Sequence, residues 1–173
     1  MASTDDPAPV EADVTHLRNL LRHQASTVTV ITAPGPPPVG FTATSFTAVS
    51  LRPPVVSFCL DTGSSSWLTV AGARHVGVHL LAHDQHQLAR TFATSGIDRF
   101  AAPTRWRPGP QGVPILADAL GWLLCRVIDR VTVGSHAIVL AEPEQLLRRA
   151  EVGSPLLYHR GRYTGLPAVH QLG

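Results

Sequence analysis

The chain has 173 residues, 44% hydrophobic and only 15% charged, which supports one domain with its own core and excludes intrinsic disorder over most of its length. Its net charge of +2 marks neither a nucleic-acid nor a membrane-surface partner. All fourteen basic residues are arginines, so an internal Schiff base and a P-loop lysine are excluded as well.

Residues 1–11, acidic and rich in Pro and Ala, read as a disordered tail before a single domain over 12–166. Residues 167–173 form a second tail. From Ala12 to Gln24, Val14, Leu17, Leu20 and Leu21 recur at helical spacing and predict an amphipathic helix. Thr27 to Thr32 is β-branched throughout and predicts a strand, with Val39 to Ser45 as its partner across a Pro-rich turn. After the break at Arg52-Pro-Pro, Val55 to Leu60 predicts a short strand in a two-sided core. Ser64 to Trp67 opens a helix to about Ala73, and His75 to Leu81 returns to strand. The Asp84 and Gln87 spacing fits a capping box for a helix ending near Thr94, stopped by Gly96. Phe100 to Pro114 reads as loop. Trp122 to Val133 and His136 to Leu140 form a hairpin about Gly134-Ser135, and Tyr158 to Tyr163 a last turn-linked pair.

This order lacks βαβ alternation and a Gly-x-Gly-x-x-Gly after a strand. It predicts a mainly β fold with short helices around an antiparallel sheet, closed or sandwiched. Cys59 and Cys125 sit in apolar runs and read as buried thiols, with a disulfide or a reactive thiol as alternatives. No apolar run reaches 18 residues and no secretion signal opens the chain, so the expected location is the cytoplasm.

Four segments could carry chemistry. Gly40 to Pro54 alternates small residues and hydroxyls with Phe41 and Phe46, a surface that lets backbone groups approach a flat heteroaromatic ring. Its bland reading is a Thr-rich strand. Ser64, Ser65 and Ser66 at a strand-to-helix junction offer hydroxyls and N–H groups to an anion, or simply cap the helix. His75, His79, His83 and His86 fall on different elements, so no metal is expected. His136, in the Gly134-Ser-His turn, either projects into a cleft or is a solvated turn residue. A Gly-x-Ser-x-Gly elbow is missing, against a serine hydrolase.

In order, Thr27-Val-Thr-Val-Ile-Thr-Ala33, Val39-Gly-Phe-Thr-Ala-Thr-Ser-Phe-Thr-Ala-Val-Ser-Leu-Arg-Pro-Pro-Val55, Phe58-Cys-Leu-Asp61, the serine run, Val76-Gly-Val-His-Leu-Leu81, Gln85 to Ala93, Gly134-Ser-His136 and Pro155-Leu-Leu-Tyr158 resemble the flavin reductase family. The resemblance spans Leu17 to Leu166 and implies an FMN-binding split barrel. It further implies an NAD(P)H:flavin oxidoreductase that reduces FMN or FAD with NADH or NADPH. Reduced flavin would go to a monooxygenase or halogenase, and the protein would be a homodimer. By that resemblance, Thr42, Ala43, Thr44, Ser45 and Ser50 line the isoalloxazine, and Cys59 and Leu60 belong to the cofactor-binding set. Ser64 to Ser66 receive flavin phosphate or ribityl groups. His79 contacts flavin where the family usually has Asn, and Phe92 and Phe100 border the dinucleotide. His136 stands beside the nicotinamide, although Ser135 replaces the family's Asp. No Arg cluster lies near His136 in sequence, which leans toward NADH. Two other readings stay open: an enzyme that retains its flavin and reduces a quinone or enone, and a non-enzymatic flavin or haem binder.

Overall fold

The computed structural model describes residues 9–149 and 153–166; most of the expected N-terminal tail and all of the C-terminal one lie outside that range. Seven antiparallel strands form the main sheet. In chain order they are β2 (Thr29–Ala33), β3 (Val39–Ala43), β4 (Thr47–Leu51), β5 (Pro54–Asp61), β6 (His75–Leu80), β9 (Gly121–Val133) and β10 (His136–Arg148). Their spatial order is β3-β2-β6-β9-β10-β5-β4. A short β1 (Ser26–Thr27) pairs with β11 (Leu157–His159), which pairs with β12 (Arg162–Thr164). The small pair β7 (Trp106–Pro108) and β8 (Pro114–Leu116) stands apart.

β3 and β4 follow one another in the chain yet occupy opposite edges of the sheet, with no ladder between them. The sheet is therefore curled but not closed. Side chains join the β3 edge to β5, the strand beside the β4 edge: the Phe41 and Phe58 rings meet at 6.0 Å, and Ser45, just past β3, bonds to Cys59 of β5. That gap is the split of the expected split barrel.

The core follows from this curl. All five residues of β2 are buried, because one face looks into the barrel and the other lies under α3 (His86–Ala93). Inside, Ile31, Phe41, Phe58, Val76, Val78 and Val139 pack together. Under α3, Phe92 and Ala89 pack on Val30 and Leu81. Gly40 permits this contact, since a Cβ there would lie 2.6 Å from the Phe92 ring.

Four expectations change in detail. Residues 47–51, to which the sequence pattern assigns no element, form β4, pairing with β5 across a bulge between Ala48 and Ser50. The Asp84–Gln87 capping box does not form: the cap residue is Gln85, whose Oε1 accepts from Ala82 N–H and whose amide donates to Ala117 O. The 100–114 loop contains β7 and a short 3₁₀ turn, Pro110–Gly112. The first helix, α1 (Val14–Leu21), is shorter than expected and buries none of its residues, although Asp13 caps it through His16 N–H.

Candidate functional site

The C-terminal end of β5 is the hub of the site. Where β4 has ended, Cys59 still points an N–H outward, and Ser45 Oγ accepts it at 2.8 Å. This bond fixes the Thr44–Phe46 crossover across the split. Thr44 and Ser45 are exposed there, and their own N–H groups have no acceptor among the described residues. Replacing Ser45 with Ala leaves the Cys59 N–H without its partner and should lower unfolding stability by about 1 kcal/mol, read from a urea midpoint.

Two residues beyond Cys59, the strand meets the hairpin tip. Asp61 pairs in register with His136. The Thr62 N–H and hydroxyl both donate to Ser135 O, at 2.9 and 3.0 Å. Gly134 turns the hairpin with φ +59°, a left-handed conformation glycine adopts freely. His136 is exposed, and its Nδ1 lies 3.0 Å from Ser135 Oγ. Its Nε2 has no protein partner among the described residues, so Ser135 holds the ring by one nitrogen and leaves the other for a ligand.

The chain then runs through Ser64–Ser66 into α2 (Trp67–Gly72). Ser64 Oγ accepts from Ser66 N–H, while Ser66 Oγ is buried and takes a bond from Arg99 at 3.2 Å. Arg99 also donates to Gly40 O at 2.6 Å and to Thr94 O at 2.9 Å. Burial lowers its pKa from the usual guanidinium value, so a neighbouring anion gains from the partly desolvated charge. Ser65 is exposed, and its N–H has no acceptor among the described residues. Ser65, Ser66, Arg99 and Phe100 line a cavity of about 400 Å³ with Pro38 and Gly40. One guanidinium, hydroxyls and a free N–H form a donor set for a phosphate, beside the Asp98 carboxylate, whose Oδ1 is taken by the Phe100 N–H.

Arg99 was not among the residues expected from sequence. Its partners Gly40 and Ser66 lie 59 and 33 positions away, so no local spacing signals the cluster.

Other expected residues lie elsewhere. His79 is fully buried. Leu116 N–H donates to its Nε2 at 3.1 Å, so the proton sits on Nδ1 and is donated to Val30 O, also at 3.1 Å. Burial pushes its pKa down to about 4. With both nitrogens occupied by Val30 and Leu116, the ring ties β6 to β2 and β8. Phe92 is likewise core, with only Phe100, its edge-to-face partner at 5.3 Å, reaching the cavity. Thr42 spends its hydroxyl on Ala89 O of α3. Ala43 and Leu60 are buried. Ser50 stands opposite Val55, roughly 13 Å along β5 from Cys59 at strand rise. Cys59 is half-buried and Cys125 buried; neither is in a disulfide. No metal-binding group occurs among the described residues.

Residues 21–167 match the model of the flavin reductase like domain. Over 147 residues the chain is 38% identical to an NADH:FMN oxidoreductase of Rhodococcus erythropolis, covering 83% of this chain and 77% of that protein. It is 39% identical over 154 residues to the reductase component of a 4-nitrophenol 4-monooxygenase/4-nitrocatechol 2-monooxygenase from Rhodococcus opacus, covering 87% and 80%. The NADH:FAD oxidoreductase SgcE6 of Streptomyces globisporus, solved with NAD and FAD fragments, superposes with a TM-score of 0.88 at 29% identity, covering 95% of this chain and 100% of that one.

Proposed function

The chain belongs to the flavin reductase family, and on that premise we propose that it reduces free FMN or FAD with NADH or NADPH and passes the reduced flavin to a separate monooxygenase component. The observation that carries this reading is the convergence at one end of β5. There Cys59 pins the Thr44–Ser45 crossover, Thr62 pins the His136 hairpin, and the chain runs on into the serine loop, which Arg99 joins to the Gly40 end of β3.

Flavin supplies the redox chemistry, accepting a hydride from the nicotinamide. The chain's own part is binding and orientation. Ser65, Ser66 and Arg99 hold the phosphate. The N–H groups of Thr44 and Ser45 face the ring and stabilise negative charge on it. His136 Nε2 bonds the nicotinamide carboxamide and orients the ring without transferring a proton. Exposure of Thr44, Ser45, Ser65 and His136 suits a flavin that enters and leaves, whereas retained ligands are mostly enclosed. The relative that serves a nitrophenol monooxygenase supports a monooxygenase partner.

A homodimer follows from the same family reading and is supported by exposed Val49, Leu51, Val131 and Val133, apolar surface that a second copy would cover. No helix among the described residues is long and apolar enough to cross a membrane, in keeping with a cytoplasmic place.

The test is the initial rate of NADH oxidation as FMN or FAD is raised far above the enzyme concentration. Saturation in added flavin supports the proposal. A rate independent of added flavin, or no rate, overturns it.

A further inference from the structure

An unexplained cavity lies beside the Thr44–Ser45 crossover. A cavity of about 690 Å³ opens between α1, the crossover and the β11–β12 turn, with Thr44 and Ser45 on its wall. Arg18 and Arg22 enter it from α1 and Arg160 from the turn. No carboxylate lies within ion-pair distance of these three among the described residues, and the cavity lining itself contains no acidic side chain. Arg160 contacts His23 Nδ1 at 2.9 Å, and its N–H donates to Arg22 O, which fastens the turn to the end of α1.

Three like charges around one cavity repel one another unless an anion joins them. Gln24, Ser26, Thr44 and Ser45 supply further polar groups, and one part of the wall is apolar. Leu17 and Leu21, half exposed, and Tyr158, 38% exposed, face the same space. The α1 stripe thus buries nothing in its own chain but borders a basic cavity. Phosphates for the guanidiniums and a flat ring for the apolar wall are the two halves of an adenosine diphosphate group.

We infer that this cavity binds the adenosine diphosphate moiety of a dinucleotide, with Arg18, Arg22 and Arg160 on its phosphates. The inference rests on the reductase reading for its substrates, but not for its ligand chemistry. Two sources carry this group: the pyridine dinucleotide donor and the adenylate half of FAD. Arg99 and the serine loop lie at the other end of β3, by Gly40 rather than Thr44, so the two anion sites are separate and one does not substitute for the other.

The test uses the double variant Arg18→Ala, Arg22→Ala. Neither side chain makes a hydrogen bond among the described residues, so the fold loses no partner, and an unchanged melting temperature verifies this. ADP is titrated directly into the protein without flavin or NADH. ADP affinity should fall at least about tenfold in the variant, and it should weaken with added salt in the parent. Steady-state assays then assign the source. A KM for NADH raised with FMN as well as with FAD identifies the donor, while a KM raised for FAD alone identifies flavin adenylate. Either result supports the inference.

Equal ADP affinity in the two proteins overturns it, even if NADH oxidation is normal. An arginine-dependent ADP affinity in a protein that never oxidises NADH would uphold the cavity and defeat the reductase reading. As a second variant, Arg160→Lys keeps the charge and loses the fork, and it should retain more ADP affinity than Arg160→Ala. Equal loss in both would count against phosphate contact at that residue.

Discussion

Arg99→Ala raises the KM for flavin by about 10- to 100-fold, the loss expected when a charge-assisted bond to a phosphate disappears. The effect should fall on flavin and leave the KM for NADH within about twofold, because Arg99 lines the serine-loop cavity and not the α1 cavity. Arg99→Lys restores part of the affinity but not all of it, since an ammonium cannot serve Ser66, Gly40 and Thr94 together as the guanidinium does. Riboflavin, which lacks the phosphate, supplies the internal control: its KM should hardly respond to the substitution. An Arg99→Ala enzyme with unchanged KM for FMN would remove the phosphate from this cavity. Thermal melts of both variants separate lost binding from lost packing, because Arg99 also braces the Gly40 carbonyl.

The second large effect is on stability. His79 is neutral in the fold, with its pKa pushed from 6.5 down to about 4 by burial. Between those two values the unfolded chain takes up a proton that the native one refuses. Stability is therefore complete above about pH 6.5 and falls as the pH drops toward 4. The full loss from this one group is about 3 kcal/mol, from the depression at about 1.36 kcal/mol per unit. Urea midpoints at pH 7.5 and 4.5 read it directly. His79→Asn, which does not titrate, should be less stable at neutral pH but should lose less on acidification. An equal slope in both proteins would place the acid sensitivity elsewhere.

His79 also shows what a sequence motif leaves open. The motif match at Val76-Gly-Val-His-Leu-Leu identified the correct strand, but a motif does not state which face of a strand a side chain takes. In β6 that face is covered by β8, whose approach depends on a loop with no regular pattern. Phe92 and Thr42 are placed in the same way: Phe92 belongs to α3 and Thr42 bonds to it, and α3 packs on the sheet only in three dimensions.

Local patterns were legible wherever they fixed local geometry. The β-branched run of β2, the long β9–β10 hairpin about Gly134 and the serine run before α2 all follow from neighbouring residues. β4 was missed because its pairing depends on a bulge opposite β5 rather than on alternation. The α1 stripe was read correctly as amphipathic, yet it has no core to cover.

The charged residues were the least legible of all. Arg99 reaches Gly40 and Ser66 across long sequence separations. Arg18, Arg22 and Arg160 come from opposite ends of the chain to one cavity. The absence of an arginine cluster near His136 in sequence leaned toward NADH, but a cluster assembled by folding does not register in sequence spacing. Donor preference between NADH and NADPH thus becomes a question about that cavity rather than about the hairpin.

The central claim is that flavin is a substrate that leaves. An anaerobic reaction with NADH and tenfold FMN over enzyme, followed by ultrafiltration, tests it most directly. Reduction of all the FMN, with reduced flavin recovered in the filtrate, is the predicted result. Reduction of a single equivalent that stays with the protein would contradict it and make the flavin a resident group.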